Sequence, residues 1–294
     1  MAPDADGTAA SPKAEKRIGY IGLGDMGGAI ATRLVETGWN LVIYARREAS
    51  LVPFRDQPVM VAGTPREVAE AADMFCICVG YGPQVEDLLF GSGEAAEGLR
   101  PDSIVIIQST IEPDRCRSIS GRLERRNVHV IDAPVTGGTA RARNGTLTIP
   151  CGGHADTIAR CMPLLNSQAA LVVRAGEVGS GQMMKLLNNT LYAVNLAHVI
   201  EATRVGERLG LSRESIWKTI GAGSGGSTAL THYAKSMAAD GSIFPPGAVS
   251  FPGGHAGLLS KDVNLLRKQL AGAGLSESLI EKSAERAIET FTQT

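Results

Sequence analysis

Residues 17–27 read Arg-Ile-Gly-Tyr-Ile-Gly-Leu-Gly-Asp-Met-Gly. The run to Ile21 has strand character. A G-x-G-x-x-G pattern at Gly22, Gly24 and Gly27 follows it at once and opens a stretch of helical spacing. Strand, glycine turn and helix in that order are what a dinucleotide pyrophosphate requires. Gly22 permits the tight turn, and the missing Cβ at Gly24 lets the backbone approach the phosphates. Gly27 lets the helix pack close to the strand, and the first free N–H groups of that helix point at the anion. Gly22, Leu23, Gly24, Asp25, Met26 and Gly27 are therefore the expected cradle for a nucleotide cofactor.

Outward from this turn the first half of the chain alternates short apolar runs with helical patterns. After the helix at Met26 to Thr37, strands are expected at Leu41–Tyr44, Met74–Val79, Ile104–Gln108, Val128–Ile131 and Leu147–Cys151. A helix should open at Thr64-Pro65, with Thr at the N-cap, Pro in the first turn and Glu67 at the third position. This rhythm predicts an α/β Rossmann-type, doubly wound, mostly parallel sheet. It stops near Gly176. Between Gly179-Ser180-Gly181 and Gly210 about thirty residues run without proline and without an internal glycine before Gly206, with Met184, Leu187, Leu191, Val194 and Ala197 at steps of three and four and Ala202 following. That spacing predicts one long, largely buried helix. A second helix opens at Ser212, a glycine-serine loop covers 221–227, a proline-rich loop covers 245–252, and 258–292 is helical again. The expected organisation is a disordered tail at 1–15, a Rossmann domain at 16–178, and an all-α domain at 179–294 joined through the long helix.

Composition narrows the class. The 294 residues are 44% hydrophobic and 20% charged, with a formal net charge of −1. A balance so near neutral gives no electrostatic footprint for nucleic acid or an anionic membrane, and 4% aromatics leave little for base stacking. Five cysteines at irregular spacings, Cys76, Cys78, Cys116, Cys151 and Cys161, read as buried reduced thiols of a cytoplasmic protein, with no metal site expected. The polar N-terminus lacks the apolar core of a secretion signal, and no apolar run approaches the ~20 residues that span a bilayer.

The end of the second strand reads Tyr44-Ala45-Arg46-Arg47. An NAD site places an acid there for the ribose hydroxyls. Two guanidinium groups suit a 2′-phosphate instead, so NADP is the expected cofactor, held by Ala45, Arg46 and Arg47. NAD remains possible because Glu48 follows. Further along, Lys185 and Asn189 lie four residues apart on the long helix and project from one face, where they suit a substrate oxygen. A lysine on an otherwise apolar helix is costly unless it is paired or used.

These stretches resemble the β-hydroxyacid dehydrogenase family, which includes 3-hydroxyisobutyrate dehydrogenase, tartronate semialdehyde reductase, and the succinic semialdehyde and glyoxylate reductases. The resemblance is carried by Gly22–Gly27, Ser109-Thr110-Ile111-x-Pro113, Asp132-Ala-Pro-Val-Thr-Gly-Gly138 with Gly145-Thr-Leu147, Gly181-x-x-x-Lys185-x-x-Asn188-Asn189, and Lys261-Asp262, all in family order. It implies hydride transfer between a nicotinamide cofactor and a small carboxylate-bearing hydroxy acid or its semialdehyde. Lys185 would be the catalytic acid/base, and Asn189 would orient the substrate. Thr136, Gly137 and Gly138 would hold the carboxylate. Val79, Ser109, Thr110 and Lys261 would lie along the cofactor. It also implies a homodimer or homotetramer.

The chain departs from the family pattern in places. Gln108 stands where Asp is usual before Ser-Thr, and Thr136 where Ser is commoner. Thr228 follows the glycine-serine loop where a bulky Trp is frequent, and Phe251-Pro-Gly-Gly-His-Ala-Gly257 occupies the stretch before Lys261 that usually carries an aromatic residue near the substrate. These departures point to a roomier or more polar pocket. None of the five histidines sits in a matched motif. His198 is expected in a core or an interface, and His255 is notable for its nearness to Lys261. Two other readings stay open: an imine reductase of the same architecture, in which Asp or Tyr usually replaces the lysine, and a non-catalytic NADP-binding module.

Overall fold

The computed structural model describes residues 16–240 and 252–292. The tail at 1–15 and most of the proline-rich loop, including Phe251, lie outside the described residues. The chain divides into two units, the first ending at Gln182 and the second starting at Met183.

The strands of the first unit are β1 (Arg17–Ile21), β2 (Asn40–Tyr44), β3 (Val59–Val61), β4 (Met74–Ile77), β5 (Ile104–Ile107), β6 (His129–Asp132), β7 (Leu147–Gly152) and β8 (Ala169–Gly176). They form one sheet in the order β3-β2-β1-β4-β5-β6-β7-β8, parallel except where β7 meets β6 through Asp132 and Gly152. Chain order reverses beside β1, and in open α/β sheets the carboxyl ends of the strands at such a switch point carry the ligand. Central β5, Ile104-Val-Ile-Ile107, is wholly buried. Helices cover both faces there, so alternating polar residues would have nowhere to face. Each such side chain removed from water contributes about 1.5–3 kcal/mol. The helices are α1 (Asp25–Glu36), α2 (Pro65–Ala71), α3 (Gly82–Phe90), α4 (Ala95–Gly98), α5 (Pro113–Glu124), α6 (Gly138–Arg143) and α7 (Ala155–Asn166).

Two strands were not legible in the sequence. β3 has three residues, and Met60 and Val61 are exposed on the sheet edge. β8 is the opposite edge and also shows apolar side chains, Leu171 and Val173, to solvent. Neither shows the burial-driven pattern by which a strand is recognised. At Thr64 the side chain does accept from the Glu67 N–H, but the Glu67 carboxylate reaches back to Gly63 N–H rather than to the cap residue.

The helices that continue into or lie in the second unit are α8 (Ser180–Arg208), α9 (Arg213–Ala222), α10 (Thr228–Asp240), α11 (Gly254–Gly272) and α12 (Leu279–Thr292). Ala193, Leu196, Ala197 and Ile200 of α8 form a core with Ala229 and Tyr233 of α10, Leu259 and Val263 of α11, and Ala284, Ala287 and Phe291 of α12. Leu186 packs separately on Leu265 and Leu266. The expected single helical segment at the end is broken at Gly274, whose φ of 72° puts it in the left-handed region that ends helices. The expectation of a largely buried long helix needs correction. Met184, Leu187 and Leu191 are 48%, 36% and 55% exposed, so only one side of α8 is core. Helical spacing reveals an apolar face but not how much of it is covered. No helix among the described residues is long and apolar enough to cross a membrane.

Candidate active site

At the carboxyl end of β1 the glycines separate into two kinds. Gly22 has φ +101°, and a Cβ there would lie 2.1 Å from the Cys78 carbonyl oxygen. A Cβ on Gly27 would lie 1.8 Å from the Gly22 carbonyl oxygen. These two are demanded by the fold itself. A Cβ on Gly24 would meet nothing within 4 Å. The protein therefore leaves open space at the residue that caps α1, beside the N–H groups of its first turn. That space fits a phosphate drawn to a helix N-terminus.

Beyond β2, Arg46 and Arg47 are exposed and take part in no ion pair among the described residues. Glu48 is exposed and lies 3.7 Å from Arg55. After β4, the Val79 N–H donates to Ser109 Oγ at 2.7 Å, and that hydroxyl also lies 3.3 Å from the Ile77 carbonyl oxygen. Ser109, buried at 2% exposure, thus staples the ends of β4 and β5. Thr110 is half-buried beside it. Gln108 is explained by a buried polar chain in which Tyr20 Oη donates to Gln108 Oε1 at 2.8 Å and Gln108 Nε2 donates to Gln168 Oε1 at 2.7 Å. The shorter Asp usual at this position carries no donor when ionised and has one carbon less of reach.

The loop after β6 carries Thr136, Gly137 and Gly138. The glycines have φ of +135° and +76° and are exposed. The Thr136 N–H is already donated to the Thr148 carbonyl at 2.9 Å. The Thr136 side chain is half-buried. Asp132, in the same motif, has a role that sequence reading left blank. It is fully buried and accepts from Gly179 N–H at 2.6 Å and Gln182 N–H at 2.7 Å, capping the start of α8. Burial pushes its carboxyl up to about 6, and the two N–H donors hold it back from going higher. Gln182 completes the anchor: its Nε2 donates to the Ser109 carbonyl at 2.8 Å and its Oε1 accepts from Ile111 N–H at 3.0 Å. A Cβ on Gly181 would lie 2.8 Å from the Asp132 and Pro150 carbonyl oxygens, so only glycine passes there.

In the second unit, α8 presents Lys185 and Asn189 one turn apart on one face. Lys185 is 9% exposed. Burial lowers its pKa to about 8, with Lys261 pushing the same way more weakly and Asp262 opposing. Roughly a tenth of such a lysine is neutral at pH 7, far more than of a free lysine. Asp262 on α11 is 1% exposed. Its Oδ2 accepts from Asn189 Nδ2 at 2.6 Å, and its Oδ1 lies 3.1 Å from Lys261 Nζ. Asn189 Oδ1 accepts from Asn188 Nδ2 at 3.1 Å, which settles the amide's orientation. Lys261 is thus held by its own neighbour, and Asp262 is the residue that fixes Asn189. The adjacent Lys-Asp pair was visible in the sequence, but nothing local said which of the two faced α8. His198, expected in a core or an interface, is exposed, which removes the core reading.

Comparison with known proteins agrees with this arrangement of elements. Residues 17–177 match the family model for the NAD-binding domain of 6-phosphogluconate dehydrogenase. Residues 179–293 match the model described as NAD-binding of NADP-dependent 3-hydroxyisobutyrate dehydrogenase. The chain is 36% identical over 271 residues to an uncharacterised oxidoreductase of Synechocystis, covering 90% of each chain. It is 32% identical to the mitochondrial 3-hydroxyisobutyrate dehydrogenase of Pongo abelii, over 84% of this chain and 74% of that one. Among solved structures, the Mycobacterium tuberculosis 3-hydroxyisobutyrate dehydrogenase with L-serine superposes with a TM-score of 0.79 at 25% identity, covering 95% and 93% of the two chains. A Streptomyces aurantiacus imine reductase superposes with a TM-score of 0.66 at 14% identity, covering 95% and 94%, a likeness of fold alone.

Proposed function

This chain belongs to the β-hydroxyacid dehydrogenase family of NAD(P)-dependent oxidoreductases, and from that premise we propose that it moves a hydride between NADP(H) and a small hydroxy acid or its semialdehyde, with Lys185 as acid/base. The observation that carries this reading is a lysine at 9% exposure, brought to a pKa of about 8, on the same helix face as an asparagine locked by a buried aspartate. A general acid/base works best when its pKa lies near the working pH.

NADP would be held by the turn at Gly22–Gly27, by Ala45, Arg46 and Arg47 at its 2′-phosphate, and by Val79, Ser109, Thr110 and Lys261 along its length. When bound, its nicotinamide supplies or accepts the hydride. The protein's own residues do the rest. The Thr136 hydroxyl and the Gly137 and Gly138 N–H groups hold the carboxylate. The remaining N–H of Asn189 steadies the oxygen on the reacting carbon. In oxidation the neutral Lys185 amine takes the hydroxyl proton as hydride leaves the same carbon, and in reduction the ammonium returns a proton to the new alkoxide. A homodimer or homotetramer is part of the same proposal.

The test is NADPH oxidation with succinic semialdehyde, glyoxylate and a cyclic imine, repeated with NADH. Turnover of one of the two carbonyl acids, favoured by NADPH, is expected. Turnover confined to the imine would replace this reading with imine reduction, and no turnover at all despite cofactor binding would leave a non-catalytic module.

A further inference from the structure

Tyr192 stands seven residues after Lys185 and three after Asn189, so all three lie within one narrow stripe of α8. Its hydroxyl is 3.2 Å from His232 Nδ1 on α10, and the two rings are 5.9 Å apart and tilted by 60°. Tyr192 is half-buried and His232 is at the surface. His255, in the first turn of α11, is close enough to act electrostatically on His232, as is Lys235 of α10. Burial, then Lys235, favour neutral His232, and burial keeps the Tyr192 phenol protonated. A neutral imidazole that accepts the phenol proton at Nδ1 carries its own proton on Nε2. With the proton on Nδ1 instead the roles reverse, so in either tautomer the pair offers one donor and one acceptor. An apolar group gives neither a partner, whereas a hydroxyl can accept from one and donate to the other.

Helical rise places Tyr192 about 4.5 Å beyond Asn189 and about 10 Å beyond Lys185. A substituent of two or three carbons on the substrate spans the difference. We propose that the Tyr192–His232 pair is the specificity-determining end of the substrate site, recognising a hydroxyl on a short side chain of the hydroxy acid in preference to an alkyl end. The inference rests on the hydroxy-acid reading above. It also fits the small residue that opens α10, Thr228.

The test uses two acids of equal size, 2-(hydroxymethyl)-4-hydroxybutanoate and 2-(hydroxymethyl)pentanoate, which differ only in a terminal hydroxyl against a methyl. Their oxidation is followed with saturating NADP+. The wild-type chain is expected to favour the hydroxylated acid about tenfold or more in kcat/KM. Tyr192→Phe, which removes one oxygen, should raise KM for the hydroxylated acid and bring the ratio to within about twofold, and His232→Ala should move it the same way. A wild-type ratio near one overturns the inference and leaves the hydroxy-acid reading standing. So does a Tyr192→Phe loss that falls equally on both acids, because a merely structural role would give that. If neither acid nor either carbonyl acid is turned over, both readings fall together.

Discussion

At the glycine turn after β1 the decisive contacts are made by the backbone, whereas on the stripe of α8 that carries Lys185 they are made by side chains. Gly22 and Gly27 are fixed by carbonyl oxygens 2.1 Å and 1.8 Å from where a Cβ would stand, and Gly24 faces open space. Lys185, Asn189 and Asp262 are fixed by burial, charge and a 2.6 Å hydrogen bond. The difference is one of what can be substituted. A backbone cradle fails when atoms are added to it. A side-chain constellation fails when atoms are removed, because the groups left behind are buried without partners.

Four measurements would break or sharpen that contrast. The largest effect is expected on the side-chain half. Lys185→Ala should reduce turnover about 10³-fold, the range general acid–base catalysis supplies, while leaving NADPH fluorescence titrations unchanged. Turnover within a few-fold of wild type would remove Lys185 from its role. Next come the glycines. Gly27→Ala should destabilise the fold by about 3 kcal/mol through overpacking, read as a lowered denaturant midpoint. Gly24→Ala should leave that midpoint in place and weaken cofactor binding instead. Equal stability losses in the two variants would erase the distinction between them. The third test falls on the two side chains of the cofactor half, where Arg46→Ala with Arg47→Ala should lower the preference for NADP over NAD by about thirtyfold, the worth of charge-assisted hydrogen bonds. A preference that does not move would place phosphate recognition elsewhere. The smallest effect is the pH dependence. Lys185 must be neutral to act as base, so kcat/KM for oxidation should rise about tenfold from pH 7 to a plateau above about 8. The reductive direction needs the ammonium form and should fall over the same window. A profile flat from pH 6 to 9 would show that another group controls the proton.

How much was legible follows the same division. The β1 turn could be read because its signal is local: three glycines at fixed spacing, directly after an apolar run. Lys185 and Asn189 could be read because helical periodicity alone places them on one face. Asp132 could not be given a role, since its partners at 179 and 182 are forty-seven and fifty residues away and offer only backbone N–H groups, which carry no residue identity. Asp262 and His232 meet α8 from other helices, seventy-three and forty residues further on. β3 and β8 were missed because edge strands need not alternate when one side is exposed.

The sequence by itself therefore determined six of the eight strands, the glycine turn after β1 and which residues of α8 share a face with Lys185, because each rests on spacing within a single element. Only the tertiary structure decided which buried carboxylate anchors the start of α8, which orients Asn189, and that Ser109 is occupied in joining two strand ends. It alone also brought Tyr192 to His232. Those pairings depend on elements distant in the chain meeting at hydrogen-bonding range, and no local pattern of residue types encodes which ones will meet.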